Sequence, residues 1–239
     1  MNTKILHILL IVLFFANSVI VNSQEPLNPN WDKQKIKGVR YMPYPPYSGS
    51  PFLNESWVSG KIEFSDGEVS DSLFLRYSAF RDELLYYNKE IASHIVIDKA
   101  SISGFSFITG DGITRVFRKQ YYDGFMSGDR YFEILSEGET DLIVFRKIIL
   151  ANTMPYKGEG GILLDQNYVP AYQYYFYTPE KGFTYIRINT NAFLEKFAEK
   201  DQKPIRKLIR KNRIRITEEE SLILAWKIAE KEGFKIIFN

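Results

Sequence analysis

Seven carboxylates stand in or beside alternating apolar stretches of this chain: Asp82, Glu83, Asp111, Asp123, Asp129, Glu133 and Asp141. Two carboxylates facing each other across a cleft, one with a raised pKa and one with an ordinary one, are enough for acid-assisted glycan hydrolysis. Most of these residues fall in turn-like stretches, however, where Asp is favoured for its hydrogen bond to nearby backbone. No spacing along the chain fixes two of them at a working separation. The sequence has two histidines, His7 and His94, and no cysteine. His94 is followed by Ile95, Val96 and Ile97, which reads as a structural or surface residue of a strand. One such histidine cannot build a multi-histidine metal site, and the lack of thiols removes disulfides, thiolate zinc, iron–sulfur clusters and cysteine nucleophiles. Asp111 and the Asp123 to Asp129 stretch lack calcium-loop spacing. Lys157-Gly-Glu-Gly-Gly lacks the phosphate-loop pattern. No catalytic residue, metal ligand or cofactor is assigned from the sequence.

Binding chemistry is more visible. Tyr168, Tyr172, Tyr174, Tyr175, Phe176 and Tyr177 form an aromatic stretch with rings on both parities. If one face of this strand is core, Gln173, Tyr175 and Tyr177 stand on the other as a stacking platform. Tyr172, Tyr175 and Tyr177 are therefore candidate binding residues; the bland alternative is a strand packed on both sides. Further on, Lys203 to Arg215 carries seven basic residues and no acid. Ile205, Leu208 and Ile209 fall at helical spacing within it, so Arg206, Lys207, Arg210 and Lys211 mark a polar helix face. Such a face is either simply solvated, packed against acidic sheet, or a contact for anionic lipid or polysaccharide.

The elements that would position these groups are strands first and helices last. Trp57 to Tyr77 reads as a β-hairpin. Val58, Gly60, Ile62 and Phe64 share one face, Val69, Leu73, Leu75 and Tyr77 another, and Asp66-Gly67 makes the turn. Further strands are expected near Glu83 to Tyr87, Ile91 to Asp98, Ile102 to Ile108, Ile113 to Lys119, Tyr131 to Ser136 and Asp141 to Leu150. Asn152 to Pro170 reads as a long loop, followed by a hairpin of Tyr172 to Thr178 and Phe183 to Ile188. Short connections leave no room for crossover helices, so the neighbours are antiparallel. Helices are expected over Ala192 to Lys200, Pro204 to Lys211 and Glu218 to Lys231. The last has Thr217 as N-cap and Glu220 completing a capping box.

The expected class is α+β. An antiparallel sandwich or open barrel spans residues 55–190, and a small helical cap spans 191–239. Charge divides near Lys181: residues 24–180 hold 16 basic and 21 acidic side chains, residues 181–239 hold 14 and 8. Residues 1–23 have the form of a secretory signal, with Lys4, an apolar run from Ile5 and small Ser23 before Gln24. Residues 24–54 are a proline-rich extended arm expected to lay Tyr41, Tyr44 and Tyr47 on the domain.

Gly49-Ser50-Pro51-Phe52-Leu53, Trp57, Gly60-Lys61 and the basic Lys207 to Arg215 segment leading into Thr217-Glu218-Glu219-Glu220-Ser221-Leu222 resemble a set of exported proteins of Bacteroidota-type bacteria with no known activity. That resemblance implies an envelope protein and transfers no catalytic residue. The resulting expectation is an exported, non-enzymatic module of the periplasm, outer surface or medium that binds an envelope protein, a glycan or an anionic surface. Nucleic acid is not expected as a partner, and membrane contact is confined to the signal segment unless that segment is retained. The alternative is a cysteine-free two-carboxylate glycan hydrolase.

Overall fold

The Asp66-Gly67 turn forms as the sequence predicts: Gly67 takes φ +85° and its N–H bonds Phe64 C=O at 2.9 Å. The strand after it starts later than expected. Ser70 Oγ accepts from the Ile62 N–H at 2.9 Å, substituting a side chain for ladder backbone, so regular pairing resumes only at Leu73. Val69, assigned to the buried parity by alternation, is 45% exposed as a consequence.

The computed structural model describes residues 33–45, 47–124, 126–152, 156–158, 161–163 and 166–238. The apolar leader, the start of the arm and Gly160 of the glycine-rich stretch lie outside these residues. Among them the strands are β1 Gly38–Arg40, β2 Val58–Phe64, β3 Leu73–Ser78, β4 Glu83–Asn88, β5 Ser93–Ile97, β6 Ile102–Ile108, β7 Thr114–Tyr122, β8 Gly128–Ser136, β9 Asp141–Phe145, β10 Ile148–Asn152, β11 Tyr156–Gly158, β12 Gly161–Leu163, β13 Gln166–Pro170, β14 Gln173–Thr178 and β15 Gly182–Ile186. Three helices follow, α1 Thr190–Leu194, α2 Glu199–Lys211 and α3 Glu219–Lys231. Eleven strands form one open antiparallel sheet in the order β1-β5-β4-β3-β2-β6-β7-β8-β9-β14-β15. The class is α+β.

Several boundaries move. The single strand expected from Asp141 to Leu150 breaks at Arg146 into β9, which stays in the large sheet, and β10, which leaves to pair with β13. The expected loop from Asn152 to Pro170 holds the β11–β12 hairpin and β13. Helix α2 starts before Pro204 rather than at it, and α3 is capped one residue later than expected. There Ser221 Oγ accepts from the Glu218 N–H at 3.2 Å, and Glu218, not Thr217, is the N-cap.

The sheet curls in two opposite senses. Tyr77 of β3 and Tyr131 of β8 have ring centroids 6.3 Å apart. Four strand spacings separate them, about 19 Å on a flat sheet. Tyr122 of β7 and Phe183 of β15, also four strands apart, approach to 5.3 Å. Tyr131 and the neighbouring Phe132 point to opposite faces, so the two troughs open on opposite sides and share β7 and β8. The first is filled by Ile62, Leu75, Tyr77, Phe105, Phe107 and Phe117. Ile148 and Tyr168 of the β10–β13 pair pack on this cluster. The arm is stitched beside it, Leu53 N–H bonding Tyr77 C=O at 3.0 Å and Phe80 N–H bonding Pro51 C=O at 3.1 Å. The second trough holds Phe132, Ile143, Phe145 and Tyr175.

The helices cover the reverse side of the second trough. Leu142, Val144, Tyr174 and Phe176 of the sheet share one cluster with Phe193, Phe197, Ile205, Ile209, Leu222 and Trp226. The charge boundary near Lys181 is therefore not a break in packing, since sheet and helices bury each other.

Gly60 shows how tightly the first trough is built. A Cβ there would meet Ser106 O, Leu75 Cδ1 at 2.8 Å and Phe107 Cβ at 2.9 Å. Gly60→Ala is expected to cost about 1–3 kcal/mol, the usual range for overpacking a filled core. Urea unfolding of the two forms reads this directly.

Candidate functional site

Alternation predicts that residues facing away from the first trough are polar, and in β3, β4 and β5 several of them are not: Phe74, Leu85, Tyr87 and Val96. Ser59 pairs with Phe74, Tyr87 pairs with His94, and the Tyr41 N–H bonds His94 C=O at 2.8 Å. One step beyond the Leu75–Tyr86 pair, Phe74 lies opposite Tyr87. The result is a row running across the sheet, Ser59, Phe74, Tyr87, His94 and Tyr41, with Trp57 beside it. Trp57 packs on His94 with centroids 4.8 Å apart and planes tilted by 31°. Tyr87 lies 5.3 Å from His94 and 6.0 Å from Trp57, and Tyr41 lies 6.3 Å from His94.

This ladder is open to solvent. His94 is exposed, Phe74 is 43% exposed, and Trp57, Tyr87 and Tyr41 are half-buried. Cations frame it. The Arg76 guanidinium stacks 3.7 Å from the Phe52 centroid, and Lys89 Nζ sits 4.2 Å from that of Phe74. Asn54 C=O accepts from Arg76 Nε at 3.2 Å, which holds the guanidinium over its ring. Flat aromatic faces with hydrogen-bonding groups at the margin suit a ligand that is apolar on one face and polar at its edge.

The tyrosines singled out in the sequence go elsewhere. β14 is packed on both faces: Tyr174 and Phe176 meet the helices, while Tyr175 and Tyr177 enter the second trough. Tyr175 is only 5% exposed, and burial raises its hydroxyl above the ordinary range. Tyr177 is half-buried and donates to Gln120 Oε1 at 2.9 Å. Tyr172 lies under the Arg146 guanidinium, 4.8 Å from its ring. These three rings therefore do not form one exposed surface.

The basic helix face is present as expected. Ile205 and Ile209 are buried, while Lys207, Arg210 and Lys211 are exposed. Arg206 is half-buried and donates to Asn191 Oδ1 at 3.3 Å. None of the four has an acidic partner among the described residues.

The carboxylates are mostly committed to structure. Asp82 is buried, with Tyr77 Oη donating at 2.6 Å, Lys99 Nζ at 2.6 Å and the Tyr131 N–H at 3.3 Å. Burial pushes its pKa up, and Lys99 opposes that shift. Glu133 receives Arg115 at 3.1 Å and Arg146 Nε. Arg146 also forks onto Glu219 at 2.6 and 2.8 Å. Burial would lower the Arg146 pKa, but the bonds and charges of Glu219 and Glu133 outweigh it and hold the guanidinium above its ordinary range. Glu83 accepts from Tyr44 Oη at 3.1 Å. Asp111 caps its own turn and Asp141 accepts from the Gly138 N–H, while Asp123 and Asp129 are exposed. Among the described residues no three His, Cys, Asp or Glu side chains gather as a metal site. Comparison with protein-family models, curated proteins and solved structures gives no significant match.

The ladder escaped the sequence reading because its members are scattered between Tyr41 and His94. One signal was available: Trp57, Phe74 and Tyr87 each sit on the parity opposite a well-patterned core face.

Proposed function

We propose that this chain is a non-catalytic, exported binding module whose aromatic ladder receives a glycan. The observation that carries this reading is the solvent-open Trp57–His94–Tyr87 cluster, His94 exposed and both other rings half-buried, with Arg76 and Lys89 at its margins. Pyranose rings offer apolar C–H faces to aromatic planes and hydroxyls to the surrounding polar groups. Strands lie 4.7–4.9 Å apart, close to the length of one sugar ring, so successive rungs suit successive sugars. Migration through native gels containing soluble neutral polysaccharides tests the reading. A glucan, mannan, xylan or N-acetylhexosamine polymer that retards the protein supports it, and equal mobility in every gel contradicts it.

A second contact rests on a separate observation, the unpaired cations of α2. A stripe of cations along one helix face suits a planar anionic lipid surface, where each basic residue contributes about 1 kcal/mol. The K207E/R210E/K211E variant is expected to lose at least tenfold in binding to phosphatidylglycerol vesicles at low salt, with unchanged thermal stability. Wild-type binding that is equally strong on phosphatidylcholine, or insensitive to salt, would contradict this contact.

A further inference from the structure

The C-terminal end of α3, the β8–β9 turn and the β14–β15 turn enclose a cleft of about 130 Å³, lined among others by Trp226, Glu230, Phe234, Phe238 and Lys181. Its volume is near that of a cavity able to hold benzene, about 150 Å³. Three features of the lining are unusual together. Glu230 has no hydrogen-bond or ion-pair partner among the described residues, although it is only half-exposed. Its carboxylate presses against Gly138, where a Cβ would collide with it. Trp226 is 1% exposed and its indole Nε1 is sealed inside the protein, so it lines the cleft with ring carbon alone. Lys181 Nζ lies 5.4 Å from the centroid of Phe238, so a cation already rests on one aromatic wall. The other lysine of the lining, Lys235, is paired with Glu139 at 2.7 Å.

An unpaired carboxylate in the last turn of a helix, where the helix dipole is negative, favours a cation. Aromatic walls favour an ammonium group in particular. Lys181 calls for a group that carries negative charge. Burial, with Asp141 and Glu139 nearby, pushes the Glu230 pKa up, the behaviour of an acid lacking its counter-ion. We infer that this cleft binds a small amino-acid zwitterion, its ammonium on Glu230 and its carboxylate toward Lys181. The site is separate from the aromatic ladder and from α2, so its fate is independent of the glycan reading.

Titration of ¹⁵N-labelled protein with L-alanine, ethylamine and propionate tests the assignment through the Gly138 and Gly233 amides and the Trp226 indole N–H. Saturable shifts with alanine are expected, with ethylamine and propionate each at least tenfold weaker because each lacks one charged end. E230Q, at a half-exposed position that leaves the core untouched, is expected to weaken alanine at least tenfold while keeping the wild-type amide spectrum elsewhere. K181M is expected to weaken alanine while leaving ethylamine unchanged. Absence of saturable shifts with alanine would overturn the inference. So would ethylamine binding as tightly as alanine, or E230Q binding alanine as wild type does.

Discussion

Replacing Arg146 with methionine is expected to destabilise the protein by about 3–5 kcal/mol, the cost of removing one member of a buried ion pair and leaving its partners uncompensated. Arg146 is 3% exposed and Glu133 5% exposed. They lie on the same sheet face as the first-trough core and the helix-covered core, between the two. Glu219, in the first turn of α3, takes both terminal nitrogens of the guanidinium. The loss is a large fraction of the 5–15 kcal/mol by which domains are usually stable. Urea unfolding should show a much lower midpoint for R146M. Replacing the set together, as in E133L/R146M/E219M, should recover part of the loss, because the buried charges of Arg146 and Glu133 then leave together, while the partly exposed Arg115 loses a partner. A loss below about 1 kcal/mol in R146M would show that water reaches the guanidinium and that the cluster does not fasten α3 to the sheet.

Trp57→Ala is expected to weaken glycan binding at least tenfold, about 1.4 kcal/mol, with little change in fold. Trp57 is half-buried and precedes β2 rather than filling either trough. Y87A should act in the same direction. By contrast, Y177A should leave binding unchanged while lowering stability, since Tyr177 packs in the second trough and bonds Gln120. That difference separates the ladder from the aromatic strand that the sequence draws attention to.

The strands were legible because each hairpin carries its own period-two pattern and turn chemistry, as at Asp66-Gly67. The helices were legible through Ile205, Ile209, Leu222 and Trp226 at helical spacing. The double curl was harder to see. Its mark is adjacent residues that are both buried, Tyr131 with Phe132 in β8 and Tyr174 with Tyr175 in β14. A strand buried on both faces reads the same in sequence whether helices cover it or the sheet folds over it. Arg146 was not legible at all. Its two carboxylate partners are 13 and 73 residues away, and only the pairing of β8 with β9 and the packing of α3 on the sheet bring them together. The same is true of Trp57 and His94. Their contact depends on β2, β3, β4 and β5 lying side by side.

The most direct measurement of the central claim uses His94 as a reporter. The chain has two histidines, His7 and His94, and the His94 imidazole lies in the middle of the ladder. Imidazole resonances are followed by NMR while the polysaccharide that retards the protein in gels, cut to soluble oligomers, is titrated in. The glycan reading predicts a saturable shift of the His94 resonances that disappears in W57A. A His94 signal that stays fixed while the oligomer is bound would contradict it and place the binding surface elsewhere on the molecule.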